Sequence, residues 1–512
     1  MNSSQITIMI AIVLYLLLVL AVGVYYAKKN NDTSDFYLGG RQLGPFVTAM
    51  SAEASDMSGW LLMGLPGLAY LTGVADAGWT AIGLAIGTYV NWLLVAKRIR
   101  FYSHTINAIT IPEFFAKRYD DRKNIISAVS ALIILIFFIP YTASGFAVCG
   151  KLFASIFQVD YLVAMIISAV VIVGYTTLGG FLAASTTDLM QSIVMTFAMV
   201  FVLAFGIHTA GGLDFVLDNA ASIPGYYGLS ETFNPATGQA EPYSLLSKVS
   251  MLAWGLGYFG MPHVLLRFMA IEDKEKLTLS RRIATVWVVI SLTVAILIGM
   301  VGLTMTHAGV LKTLEGAASE TVIVNIAGLI SEHGVLMAFG AGIILAGILA
   351  ATMSTSDSQL LAASSSVSEN IFNDFLKLNL DEKKEMLVAR TTVLAISVIA
   401  IFLASNPDNS VFEIVSFAWA GFGATFGPVM LLALFWKRSN LHGALSGMVA
   451  GAAMIFIWKY AVRPMGGILD IYELLPAFVL ALVVNVVVSL LTKAPDKKVQ
   501  EQFDFYIDYL HK

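Results

Sequence analysis

Apolar runs about as long as a bilayer is thick recur along the whole chain, divided by short polar and charged stretches. A membrane-crossing helix needs about 20 such residues. Runs meeting or approaching that length cover 6–26, 43–72, 76–96, 125–156, 160–178, 183–208, 245–270, 283–306, 334–359, 387–405, 411–436, 442–461 and 470–491. These predict about thirteen helices in an all-α integral membrane protein. The stretch 211–244, with Pro224-Gly225 and Asn234-Pro235, reads as an ordered loop, and 308–333 as a loop with a short amphipathic helix. The charged tail after Pro495 reads as a surface helix.

Charge orders these runs. Lys28, Lys29, Arg41, the seven basic residues from Lys97 to Lys123, Arg267, Lys274, Lys276, Arg281 and Arg282 fall on one side of the alternation. So do Lys377, Lys383, Lys384, Arg390, Lys437, Arg438, Lys493, Lys497, Lys498 and Lys512, making 25 of 30 basic residues. Lys151, Lys248, Lys312, Lys459 and Arg463 fall at outer positions, and 211–247 holds four acids before Lys248. The positive-inside rule then sets the N-terminus outside and the C-terminus inside.

Two runs break the apolar pattern. Ser51-Ala-Glu-Ala-Ser-Asp-Met-Ser-Gly-Trp60 places Glu53 and Asp56 in the middle of a crossing, with Pro66 and Gly67 just beyond. A charge at a helix centre costs roughly 2.5–3.5 kcal/mol. Irregular, charged backbone survives at that depth only against protein or a wet cavity; the alternative is a helix end at the interface. Five spans later, Trp254-Gly-Leu-Gly-Tyr-Phe-Gly-Met-Pro-His263 weakens a second helix, because glycine costs about 1 kcal/mol and proline about 3 in a helix interior. Interrupted spans at matching places in two halves point to an inverted-repeat secondary transporter; glycines serving only close packing are the other reading. The division expected is 1–42 an extra N-terminal helix and inner loop, 43–208 one five-helix repeat and 209–244 an outer loop. Beyond it, 245–436 forms the second repeat, 437–492 two further helices and 493–512 an inner tail.

An unwound backbone offers free carbonyls, which suit a hard, weakly held cation such as sodium. The run Ala350-Ala-Thr-Met-Ser-Thr-Ser-Asp-Ser358 is rich in hydroxyls. Ser354 and Thr355 could join the carbonyls of Ala54, Met57 and Ala351 as five neutral oxygens. Hydroxyls that merely bond back to the preceding turn are the bland alternative. Asp188 is a further buried-acid candidate, and Asp357 would lie near it if their helices pack together. Two close carboxylates demand a shared proton or a cation. Trp60, Tyr141 (after Pro140), Trp254 and Tyr258 lie near the breaks and could face an ammonium. No arginine or lysine is expected at mid-membrane to hold a large anion, which favours a zwitterionic or neutral solute.

Composition agrees: 58% of the 512 residues are hydrophobic and 12% charged, against about 25% charged in soluble domains. The lone Cys149 excludes an intramolecular disulfide. No phosphate-binding loop, His-Glu-x-x-His motif or separate catalytic domain is present to suggest a pump or membrane enzyme, and the tail is too short for a signalling domain. Nothing points to nucleic acid, and the oligomeric state stays open.

Several blocks resemble the sodium/solute symporter family, and its bacterial sodium/proline branch in particular, over nearly the whole chain. They include Tyr37-Leu-Gly-Gly-Arg41, Leu43-Gly-Pro-Phe46, Ala54-Ser-Asp-Met-Ser-Gly-Trp60 and Tyr141-Thr-Ala-Ser-Gly145. Leu178-Gly-Gly-Phe-Leu-Ala183, Trp254-Gly-Leu-Gly-Tyr-Phe-Gly260, Arg267-Phe-Met-Ala270 and Trp419-Ala-Gly-Phe-Gly423 continue the match. The resemblance implies a leucine-transporter-type fold with one extra N-terminal helix, in a bacterial plasma membrane, taking up L-proline with Na+. It implies sodium on Ala54, Met57, Ala351, Ser354 and Thr355, with Asp56, Ser58 and Asp188 important for cation use. Proline would contact Ser55, Gly59, Trp60, Tyr141, Thr142, Trp254 and Tyr258, and Arg41 would sit near the inner gate. Glu53, Thr142 and Asp357 depart from the family pattern, where small residues, a cysteine and a serine are usual, so sodium stoichiometry and proton involvement stay open. Another small solute, such as a betaine-like compound, another amino acid, a sugar or pantothenate, is the rival within the same mechanism.

Overall fold

The computed structural model describes residues 2–27 and 37–510; Lys28, Lys29 and Lys512 lie outside the described residues. The chain runs α1 (Ser3–Ala27), α2 (Pro45–Gly59), α3 (Leu65–Thr72), α4 (Val74–Asn91), α5 (Lys97–Thr105), α6 (Ile111–Arg118) and α7 (Ile125–Phe157). Next come α8 (Tyr161–Thr209), α9 (Leu213–Ser222), α10 (Leu245–Leu252), α11 (Pro262–Ala270), α12 (Leu277–His307) and α13 (Val322–Ser331). It ends with α14 (Val335–Ser365), α15 (Glu382–Leu403), α16 (Val411–Phe435), α17 (Leu441–Ile457), α18 (Leu474–Leu491) and α19 (Lys497–Leu510).

Among the described residues ten helices are long and apolar enough to cross a membrane, and the bent pair Leu245–Gly260 with Pro262–Ala270 makes an eleventh. Two of the expected runs do not pass alone. The segment 43–72 is divided into α2, a wide turn at Trp60–Gly64 and α3, and the run from 160 holds only a shorter apolar helix, Tyr161–Gly174. The all-α expectation needs one addition: a two-stranded antiparallel hairpin, β1 (Glu231–Asn234) with β2 (Gln239–Pro242), in the loop before α10.

Polar residues at run boundaries stop and start these helices. Asn2 and Gln5 bond each other's backbone amides at 2.8 and 2.9 Å at the head of α1. Thr110 accepts from the Glu113 amide while the Glu113 carboxylate accepts from the Ile109 amide. Such reciprocal caps satisfy amides that the first turn leaves without helical partners. Asp160, Ser410 and Asn440 cap α8, α16 and α17 in the simpler way.

The core is built around α14, which packs on α8, α1, α7 and α2. The same helix carries the hydroxyl run, and it continues six residues past the expected end at 359. Thr352, Ser354, Thr355 and Ser358 each donate to a carbonyl three or four residues back. Back-bonding of this kind lets hydroxyls stay inside a buried helix. The α19 helix folds back onto the body. Tyr506 stacks on Tyr102 at 4.5 Å and donates to the Leu434 carbonyl, and Lys437 pairs with Asp504 at 2.6 Å.

Ties close both ends of the broken segments. At one end Leu43 and Ile271 form a parallel β-bridge, and Arg41 donates to the carbonyls of Met269 at 2.7 Å and Ala108 at 2.6 Å. At the other, Lys151 on α7 pairs with buried Glu320 at 2.6 Å, and Glu320 accepts the amides of Val411 and Phe412 at the start of α16. Breaking a buried pair costs about 3–5 kcal/mol because one charge is left behind. Lys151→Met should therefore lower the melting temperature of the purified chain, and adding Glu320→Gln should recover part of the loss. An unchanged melting temperature in Lys151→Met would show that the pair stabilises nothing.

Candidate ion and solute site

The first break falls at Ser58, held at φ 34° and ψ −171° inside an otherwise helical run. A positive φ is costly for any residue with a Cβ, so surrounding contacts must hold it. The Ser58 hydroxyl accepts from the Trp60 amide at 3.2 Å, and the Met57 carbonyl accepts from the same amide. The Ala54 carbonyl, one turn before the break, accepts the Ser354 hydroxyl of α14 at 2.8 Å. Ser354 and Thr355 also reach the Ala351 carbonyl at 3.1 and 3.2 Å. Ala54, Ala351, Ser354 and Thr355 are thus one buried oxygen cluster where α2 crosses α14, with Met57 on the adjoining turn. Neutral carbonyl and hydroxyl oxygens without a carboxylate suit a monovalent ion held weakly enough to leave.

The second break is tighter. Residues Ala253–Gly260 wind as a 3-10 helix and Met261 leaves the helical region before α11, bending the span by 48°. Gly257 is needed there: a Cβ would stand 1.9 Å from the Trp419 indole nitrogen. That nitrogen donates to the Trp254 carbonyl at 2.8 Å, so the indole serves a carbonyl inside the weakened stretch.

Aromatic residues from both breaks meet. Trp60 and Trp254 lie 5.8 Å apart, Trp254 packs on Phe412 and Tyr472, and Tyr258 stands edge-on to Trp419 at 5.0 Å. Two tyrosines converge on Asp56: Tyr141 donates to its backbone carbonyl at 3.0 Å and Tyr258 to its carboxylate at 2.7 Å. Thr142 donates to Gln359 at 3.2 Å. The Ser55 hydroxyl donates to the Ala52 carbonyl within its own helix. A Cβ on Gly59 would stand 2.7 Å from Val148 and 3.1 Å from the Thr352 hydroxyl, so Gly59 lets α7 and α14 approach the break.

Arg267, placed by charge counting at an inner end, is 1% exposed and pairs with fully buried Asp188 at 3.1 Å. Its guanidinium also donates to Ser51 of α2 at 3.0 Å and Ser358 of α14 at 2.5 Å, and Ser51 donates to Asp188 at 2.6 Å. The helices of Asp188 and Asp357 do pack together, and this arginine supplies the cation that paired acids require. Because its charge is committed to Asp188, it is not free to hold a large anion. Asp357 bonds Thr176 of α8, and Glu53 accepts from the Trp92 indole at 2.9 Å. One oxygen on each of Glu53, Asp56, Asp188 and Asp357 is buried without a hydrogen-bond partner among the described residues. The sequence assigns no site role to Arg267, Ser51, Thr176 or Gln359. The unbroken apolar flanks Val264–Leu266 and Phe268–Ile271 were the available signal for Arg267.

A model of the sodium:solute symporter family matches residues 36–451. The osmoregulated proline transporter OpuE of Bacillus subtilis is 41% identical over 494 residues, covering 96% of each chain. The sodium/proline symporter of Haemophilus influenzae is 42% identical over 504 residues, covering 97% of each. Among solved structures, a Na+-coupled sialic acid symporter in an outward-open, substrate-bound state superposes with TM-score 0.76 at 17% identity, over 96% of this chain and 99% of the other. A nucleobase-cation-symport-1 family transporter in a closed conformation superposes at 0.56 with 13% identity, over 93% and 99%. The fold is thus one shared by ion-coupled transporters, and the broken helices and buried oxygens described above are carried on it. The chain belongs to the sodium:solute symporter family.

Proposed function

We propose that the protein takes up L-proline coupled to sodium, as a multi-pass transporter of the bacterial plasma membrane working by alternating access. One observation carries the ion site: the Ala54 carbonyl, at the break in α2, meets the hydroxyls of α14. Sodium would sit on Ala54, Met57, Ala351, Ser354 and Thr355, its arrival turning the Ser354 oxygen from the Ala54 carbonyl toward the ion. Proline would lie beside the same break against Trp60, Tyr141, Trp254 and Tyr258, with Ser55, Gly59 and Thr142 completing its surround. The solute assignment is supported by relatives named proline transporters that align over nearly their full lengths. A sodium ion moving down about 100 mV supplies roughly 2.3 kcal/mol, close to a fifty-fold accumulation before its own gradient is counted.

The same reading assigns thirteen crossings, adding Pro45–Thr72 and the helix from Tyr161 to the eleven above. It sets residues 43–208 and 245–436 as inverted five-helix repeats of the leucine-transporter type, with the N-terminus outside and the C-terminus inside. The unpaired oxygens of Glu53 and Asp357 favour a second reading, in which a proton joins or replaces sodium.

Two measurements test this. In proteoliposomes, labelled L-proline uptake should require an inward sodium gradient. Ser354→Ala should raise the sodium concentration for half-maximal uptake by about tenfold or more, the worth of one oxygen contact to a charge. Uptake driven by protons and indifferent to sodium would move the coupling to the acids, and competition by betaine-like solutes without proline uptake would sink the substrate. For topology, in a Cys149→Ser background an impermeant maleimide should label Ser4→Cys in intact cells and leave Glu501→Cys unlabelled until the cells are opened. The reverse pattern would overturn the orientation.

A further inference from the structure

The α15 helix begins with Lys383 and Lys384, and Arg390 follows six residues later, about 9 Å deeper along the axis. Arg390 is exposed, and no carboxylate or carbonyl is seated on it among the described residues. Arg438, half-buried just after α16, bonds two backbone carbonyls; Arg390 bonds none among the described residues. It lies at one end of a groove of about 520 Å³ between α8 and α15. Val170, Val173, Leu394, Ser397, Val398 and Ile401 line the rest, the Ser397 hydroxyl turned back to the Val393 carbonyl, and Val170 is 65% and Leu394 56% exposed. Ala169 and Gly174 leave the groove hollow on the α8 side.

A cation at this depth has to reach polar groups or gain an anion. An apolar channel that begins at an unpaired guanidinium matches one occupant in a bilayer, a lipid with an anionic head and a hydrocarbon tail. We propose that this groove is a binding site for an anionic phospholipid, its phosphate paired with Arg390 and one acyl chain lying between α8 and α15. The guanidinium takes two phosphate oxygens through parallel N–H donors, and Val173, Leu394 and Val398 hold the chain. A second membrane-facing groove, of about 340 Å³ between α1 and α8, has no charged residue in its lining. It accepts acyl chains without regard to headgroup and serves as the internal comparison. The inference rests on α15 crossing the membrane and is independent of which solute is carried.

Native mass spectrometry of the purified full-length chain, titrated with phosphatidylglycerol or phosphatidylcholine of the same chain length, tests it. Phosphatidylglycerol should be retained more tightly by about tenfold, the value of one charge-assisted contact, and Arg390→Leu should remove that preference. Arg390→Lys, which keeps the charge, should retain at least half of the bound lipid. Val173→Phe, which fills the groove and leaves the charge, should weaken phosphatidylglycerol and so report on the site even if Arg390→Leu folds poorly. Equal retention of the two lipids, unchanged retention in Arg390→Leu or Val173→Phe, or displacement of the lipid by millimolar inorganic phosphate would each overturn the assignment.

Discussion

A buried guanidinium is the constraint around which the rest of the molecule is arranged. Arg267 reaches Asp188 of α8, Ser51 of α2 and Ser358 of α14 from its own place on α11. It therefore joins both broken segments to the two helices that carry the hydroxyl run and the buried acids. Neither charge could stand alone in this interior, since a lone ion there costs several kcal/mol. Pairing fixes where the helices cross, and the crossing in turn delivers the Ala54 carbonyl to Ser354. The neutral oxygen cluster is thus positioned by a charged one a few residues away. This separation has a chemical use. In the proposed sodium site the ion pair would hold the scaffold, while the neutral carbonyls and hydroxyls beside it would hold the ion weakly enough for it to leave.

How much of this could be read from the chain differs by physical cause. The crossings were legible because a bilayer demands long apolar runs, and α1, α7, α12 and α16 lie within a few residues of expectation, save an earlier start to α12. The breaks were legible because charge, glycine and proline are costly inside a spanning helix. Ser58 and Met261 sit where that cost accumulates. The pairing of Arg267 was not legible, because a charge neutralised by a distant helix has no local mark. Asp188 lies 79 residues away in sequence. Of the hydroxyl run on α14, Ser354 and Thr355 read as ligands from the sequence; most of the run's bonds go back along the helix, and Ser354 and Ser358 also engage other helices. Composition names the oxygens; which face of the helix they present is a tertiary fact.

The two ends of the broken segments are tied by different chemistry. At the Arg41 end the contacts are a backbone bridge and guanidinium bonds to carbonyls, spread over 41–43, 103–108 and 269–272. At the other end a single carboxylate, Glu320, gathers Lys151, Ser410 and two amides of α16. Alternating access needs one set to open while the other holds, because a path open at both ends would dissipate the gradient. The Glu320 tie is concentrated in one buried charge, so opening that end must bring water to the carboxylate as Lys151 withdraws. The same carboxylate holds the amide of Phe412, whose ring packs with Trp60 and Trp254, so the charged tie and the aromatic cluster share one residue.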